Sequence, residues 1–176
     1  MMLRLMLLRH AQAEAGNGRS DHARALTTGG RGQALEMGHY MQAEDLLPDA
    51  IVASDSARTL QTWYEMRANF DSGLAPGLTS GLYLAHPRTI LATIHDAPSG
   101  ARALLVVGHN PGLAELADAL TGYGDRYAAA RMRQKYPPCG LAVLDFDLAG
   151  WRDIAIKTGR LDRFVIPADI GPGAGE

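Results

Sequence analysis

The chain has 176 residues, 47% of them apolar and 20% charged, with a formal net charge of −2. That length supports one domain with a sizeable core, and the balanced charge offers no basic field for nucleic acid or a membrane surface. The single cysteine excludes an internal disulfide framework and a cysteine-based zinc site; Cys139, beside an apolar run, reads as a small core filler rather than a nucleophile.

Met1–Leu8 is rich in Leu and Met and carries Arg4, but it runs straight into Arg9-His10 and is too short for a signal peptide with its cleavage site. No stretch reaches membrane-spanning length, so a cytoplasmic protein is expected. Leu3–Leu8 reads as a short strand buried on both faces. Gly16–Arg24 is polar and reads as a loop. Thr27 is placed to cap a helix running to about Asp45, with Ala34, Met37, Gly38 and Met41 on one face. Pro48 ends that segment, and Ala50–Ala53 is a second strand.

Ser54-Asp55-Ser56 offers capping side chains for a helix through about Ala68. Asp71–Gly81 reads as loop, and Pro87 opens a helix that stops before Pro98. Ala103–Val107 has the pattern of a strand in a parallel sheet. Asn110 is expected to cap the next helix, with Pro111 at its first position and Leu113, Leu116, Ala117 and Leu120 on one face. Leu141–Phe146 and Trp151–Ile156 read as two strands joined by a turn at Ala149-Gly150. The order implies one α/β domain over residues 1–170. It has a mostly parallel central sheet, helices on both faces and a late antiparallel hairpin at one edge. Residues 171–176 read as a disordered tail.

In such sheets ligands sit beyond the carboxyl ends of the strands. The first strand is followed by Arg9-His10, the second by Ser54-Asp55-Ser56 and then Arg58, and Ala103–Val107 by Gly108-His109. Two arginines and two histidines are therefore expected on one edge of the sheet, with Arg58 outside the core. Arginine's planar fork suits phosphate oxygens, and histidine can be nucleophile, proton carrier or metal ligand. Without a third ligand in sight the pair makes a poor metal site. Together with the arginines, and with the amides of the helix that follows Asn110, it makes a plausible phosphoryl-transfer site. Alone, each histidine is more often structural and each arginine more often a solvated surface charge.

Leu8-Arg9-His10-Ala11, Ser54-Asp55-Ser56-Ala57-Arg58-Thr59-Leu60-Gln61-Thr62 and Gly108-His109-Asn110-Pro111 resemble the three signature segments of the histidine phosphatase superfamily, in the same order. Ala11, where the commonest form has glycine, looks like the short SixA-type phosphohistidine phosphatases, as do Asp21 through Thr27, Gly30 and the compact length. The resemblance implies His10 as the nucleophile that becomes a phosphohistidine. It implies Arg9, Arg58 and His109, with Asn110 beside them, as the groups that bind the phosphoryl oxygens, and it implies no metal or organic cofactor.

Many relatives acting on phosphate esters carry an acidic proton donor between the second and third segments; Pro76–Gly81 here has no carboxylate. A departing imidazole tolerates that absence better than an alkoxide does. Asp21 and Glu14 remain as substitute donors. The expected substrate is a phosphorylated protein, a histidine-phosphotransfer protein among the candidates. A small phosphate ester or sugar phosphate is the alternative, and a catalytically silent phosphate-binding module a third reading. The protein is expected to be a monomer without nucleic-acid or membrane partners. Arg126, Arg131, Arg133 and Lys135 read as a solvated helix face, with a basic rim for an acidic partner as the alternative.

Overall fold

The first strand, β1 (Met2–Arg9), supplies both halves of the core. Successive side chains of a strand point to opposite faces, so Leu3, Leu5 and Leu7 enter one apolar cluster and Met6 and Leu8 the other. The computed structural model describes residues 1–70 and 73–171. Among them, β1 joins β2 (Ala50–Ser54), β3 (Gly77–Thr79), β4 (Ala103–Gly108), β5 (Thr121–Gly124), β6 (Leu141–Asp147) and β7 (Gly159–Val165) in one sheet, ordered β3-β2-β4-β1-β6-β7-β5. Pairing is parallel from β3 to β1 and between β5 and β7, and antiparallel at β1-β6 and β6-β7.

Helices α1 (Thr28–Ala43) and α2 (Ala57–Met66) pack Met37, Met41, Trp63 and Met66 onto the Met6 face. Helices α3 (Pro87–His95), α4 (Gly112–Leu120) and α5 (Arg126–Gln134) pack Ile90, Ile94, Leu113, Leu116 and Met132 onto the Leu5 face. Thr27 caps α1 as expected, its hydroxyl accepting from Gly30 N at 2.9 Å. Gly30 is required there, because a Cβ would fall 2.1 Å from the Gln12 carbonyl oxygen. Toward the amino end of β1, buried Asp145 binds Arg4 and Arg160.

Several local expectations differ. Trp151–Ile156 is not a strand: Trp151–Asp153 is a 3-10 turn, with Trp151 buried and its Nε1 donating to Ala101 O at 2.9 Å. The antiparallel partner of β6 comes later, at Gly159–Val165, and the short strand β5 lies outside it. Within the expected loop 71–81, Gly77–Thr79 adds to the β2 edge. Pro111, not Asn110, occupies the N-cap position of α4, although Asn110 Oδ1 still accepts from Ala114 N at 3.3 Å. Cys139 is a fully buried core residue and its thiol is pushed up to about 12 by that burial. Of the tail expected over residues 171–176, residues 172–176 lie outside the described residues, and no described helix is long and apolar enough to cross a membrane.

Candidate active site

Arg9-His10 leaves the carboxyl end of β1, Ser54 that of β2, and Gly108-His109 that of β4. The neighbouring parallel strands bring these ends together: His10 N donates to Gly108 O at 3.1 Å. From the other side, the turn before β6 clamps the same two residues. Cys139 N lies 3.1 Å from Arg9 O and 2.9 Å from His10 O, and Arg9 N donates to Gly140 O at 3.0 Å. A terminal pair of residues held by four backbone contacts has little freedom to drift, which is the preorganisation a reactive side chain needs.

His10 is 8% exposed. Its Nδ1 lies 2.7 Å from Ala11 O. A carbonyl only accepts, so Nδ1 carries the proton and Nε2 carries the lone pair. Arg58 Nε donates to that Nε2 at 3.3 Å. Burial, then the charges of Arg58, Arg9 and Arg24, hold His10 down to about 4, against a backbone hydrogen bond to Ala11 that works the other way. His10 is therefore neutral near pH 7, with Nε2 unprotonated.

The His109 ring lies 5.3 Å from that of His10, centroid to centroid. Its Nε2 meets Ser54 Oγ at 2.9 Å and, more weakly, Ser56 Oγ at 3.4 Å. Its Nδ1 is buried without a partner. Burial and the Arg58 charge lower His109 to about 3. Arg9 donates from Nη1 to Tyr136 O at 2.9 Å, while its Nε is also buried and unpartnered. Asn110 Nδ2 donates to the same carbonyl at 2.9 Å. Each of these two nitrogens is a buried polar atom without a hydrogen-bond partner, and such an atom is costly to leave unsatisfied.

Arg58 is 2% exposed, so the expectation that it stands outside the core is corrected. It is enclosed because its far side is gripped: Nη1 donates to Asp21 O at 2.7 Å and Nη2 to Asp21 Oδ2 at 3.1 Å. Asp21 also accepts from Arg24 Nη1 at 2.8 Å and from the Tyr83 hydroxyl. These donors hold its carboxyl well below the usual carboxylate range. The Glu14 carboxylate, exposed on the loop after β1, makes no ion pair or hydrogen bond to a site residue among the described residues; the Glu14 carbonyl instead binds Arg24. Among the described residues no three His, Cys, Asp or Glu side chains group as metal ligands.

Residues 5–82 match the family model of the histidine phosphatase superfamily, branch 1. An uncharacterised protein of Mycobacterium tuberculosis strain H37Rv is 31% identical over 163 residues, spanning 91% of this chain and 99% of its own. The chain belongs to the histidine phosphatase superfamily. Its SixA type is seen in two solved structures, both described as proposed phosphohistidine phosphatases SixA. The one from Nakamurella multipartitia is 26% identical with a TM-score of 0.83, covering 95% of this chain and 97% of that one. The one from Agrobacterium tumefaciens is 29% identical with a TM-score of 0.78, covering 94% and 98%.

Residues outside the signature segments complete the site of this histidine phosphatase. Tyr83 follows a 3-10 turn after β3 and sets its ring edge-on to His109 at 5.4 Å. No capping amide takes the Ser56 side chain, contrary to expectation; it bonds Thr59 Oγ1 at 2.7 Å. The Tyr136 hydroxyl donates to Leu7 O at 2.6 Å, fixing the backbone whose carbonyl receives Arg9 and Asn110. The basic segment is α5, and its charges are partly spent: Arg131 binds Asp169 and Arg133 binds Asp118.

Proposed function

We propose that this phosphatase works through a phosphohistidine on His10 and removes phosphate from phosphohistidine on a protein. His10 Nε2 attacks phosphorus while Nδ1–H stays on Ala11 O. Arg58, Arg9 and the free Nδ1 of His109 receive the three phosphoryl oxygens and the charge that moves onto them in the transition state. Ser54 supports this role for His109: a hydroxyl donating to Nε2 leaves the proton on Nδ1, where the anion needs it.

One observation carries the choice of substrate. The carboxylate that touches Arg58, Asp21, is ionised by its three donors and holds no proton to give. An alkoxide leaving group needs such a proton. A phosphorylated imidazole whose second nitrogen is protonated leaves as neutral imidazole and needs none. A side chain presented on another protein's surface is the substrate this implies, with a cytoplasmic phosphorelay domain as the kind of partner.

The test is a panel assay of a histidine-phosphorylated protein, an aryl phosphate and an alkyl phosphate, each with chelator present. The first two should turn over undiminished by chelator, and the alkyl ester should lag the aryl ester by about 100- to 10,000-fold, the usual worth of general acid catalysis. Equal rates on alkyl and aryl esters, with chemistry limiting, would move the small-ester reading to first place.

A further inference from the structure

Asp21 does more in this arrangement than a surface carboxylate does. A carboxylate offers about four acceptor positions. Oδ2 uses two, for Arg58 and Tyr83, and Oδ1 uses one, for Arg24. One position on Oδ1 remains, on a side chain that is 44% exposed. The carboxylate is held by Arg58 Nη2, on the same guanidinium whose Nε donates to His10 Nε2. The Tyr83 ring forms a wall beside it, in edge contact with His109 at 5.4 Å and with His22 at 4.9 Å. The mouth of the pocket thus pairs an aromatic surface with a hydrogen-bond acceptor that already carries its charge.

We infer that Asp21 is a specificity-determining residue: its carboxylate accepts the ring N–H of a departing imidazole, so the pocket favours phosphorus–nitrogen over phosphorus–oxygen cleavage. This rests on the phosphohistidine reading above. The proton balance is simple. The substrate ring, protonated on the nitrogen that does not bear phosphorus, donates to Asp21. The His10 Nε2 lone pair forms the new P–N bond as the old one breaks, and the old bonding pair returns to the substrate nitrogen. Neutral imidazole departs with its other N–H still in place, and no proton crosses the site. His10 then carries the phosphoryl group with Nδ1–H on Ala11 O, the mirror of the substrate with its N–H on Asp21. Water forms the P–O bond, the P–Nε2 pair returns to His10, and both water protons leave with the phosphate. An alkoxide brings no N–H for Asp21 and meets a bare negative charge instead.

The inference has a pH signature. A carboxylate at contact distance favours the protonated substrate ring, by about one unit or more for an opposite charge so placed. The groups facing Asp21 are Arg24 on its own loop, Arg58 on α2, Tyr83 after β3, and beyond them His22, which is paired with Asp55, and the two neutral histidines His10 and His109. None of these is acquired or lost when the substrate is exchanged for an aryl phosphate.

The experiment compares kcat profiles against pH for a phosphohistidine peptide and an aryl phosphate, in the unmutated enzyme and in Asp21→Asn. Loosening Arg58 should slow the variant on both substrates. Only on phosphohistidine should the alkaline limb move to lower pH, cutting the phosphohistidine-to-aryl ratio about tenfold above the limb for each unit moved. If Asp21→Asn is too slow for a profile, Tyr83→Phe is measured. It keeps the carboxylate with one donor fewer, and the phosphohistidine limb should move to higher pH. A limb that stays in place, with an unchanged ratio, in whichever variant gives profiles would reduce Asp21 to a positioning residue for Arg58. An unmutated enzyme that hydrolyses the aryl phosphate but not phosphohistidine would instead overturn the substrate reading, and this inference with it.

Discussion

Arg58 Nε donates to His10 Nε2 at 3.3 Å, so the lone pair assigned to attack is occupied by the cation assigned to bind the phosphoryl group. The contact orients the ring without protonating it, since Nδ1–H is already committed to Ala11 O. When an anion enters, a charged acceptor is the stronger partner for the guanidinium. On the proposed mechanism Arg58 would then turn to the phosphoryl oxygens and release Nε2 beside phosphorus. Ligand binding and exposure of the nucleophile are then one event.

His10→Ala should abolish turnover, because the other imidazole of the site, His109, has its Nε2 tied to Ser54 and Ser56. The unmutated enzyme, quenched during turnover of an aryl phosphate, should carry acid-labile phosphate that maps to His10 by mass spectrometry. Substantial turnover by the alanine variant, or label on another residue, removes His10 from the role.

For Arg58→Ala, kcat should fall by about 100- to 1,000-fold, as for loss of one charged-state donor in an oxyanion hole. Because Arg58 is buried, the same change removes one of the three donors to Asp21 and leaves a void at the head of α2. The melting temperature should fall too. Arg58→Lys should restore some of the stability and little of the rate, since an ammonium cannot reach His10, the Asp21 carboxylate and a phosphoryl oxygen from one plane. Full rate in the lysine variant would show that only the charge matters.

How the sequence exposed this site, and where it did not, follows from what a residue pattern encodes. Arg9, His10, Arg58 and His109 were legible because each terminates, or nearly terminates, an apolar strand, and strand ends in this sheet share an edge. Tyr83 was not, since it lies beyond Pro76–Gly81 and a tyrosine after a short edge strand carries no pattern of its own. The role of Tyr136 is carried by a carbonyl oxygen, which every residue possesses. Trp151 and Ile154 looked like strand residues because they are apolar, but they are buried through a 3-10 turn. The true strand β7 was hidden by Arg160, Asp162 and Arg163, whose charges are absorbed by Asp145, Glu44 and one another.

The two histidines make a pH prediction of definite sign. Burial, with Arg58 next in each case, lowers His10 to about 4 and His109 to about 3, against an ordinary value of 6.5. The unfolded chain therefore binds more protons than the folded one between those values. Their contribution to stability is complete above about pH 6.5 and is lost as pH falls through about 4 and then about 3. Urea unfolding should show this decline, and His109→Gln should flatten part of it. Anion binding should reverse the shift at His109, whose free Nδ1 gains a charged acceptor. Calorimetry with tungstate near pH 6 in buffers of different ionisation heat should show proton uptake; buffer-independent heats would place the anion away from His109.

Gly112 decides where Tyr83 stands. A Cβ on Gly112 would lie 1.9 Å from the Ala85 carbonyl oxygen and 3.2 Å from Ile90 Cδ1. The first of these is backbone, so the loop from Tyr83 to Ala85 packs directly on the first turn of α4, two residues after the His109-Asn110 pair. That loop is already constrained, with Leu84 at φ 47°, a left-handed conformation uncommon for a branched side chain. Gly112→Ala must push the loop outward, at an overpacking cost of about 1–3 kcal/mol, and carry the Tyr83 ring away from both His109 and Asp21. The variant should remain folded with a lowered melting temperature. Its KM for phosphohistidine should rise more than its KM for a small aryl phosphate, because the displaced ring is the wall beside the leaving group and not a phosphoryl ligand. An equal rise for both substrates would mean that the methyl group disturbs His109 itself, and Tyr83 would lose its place in the site.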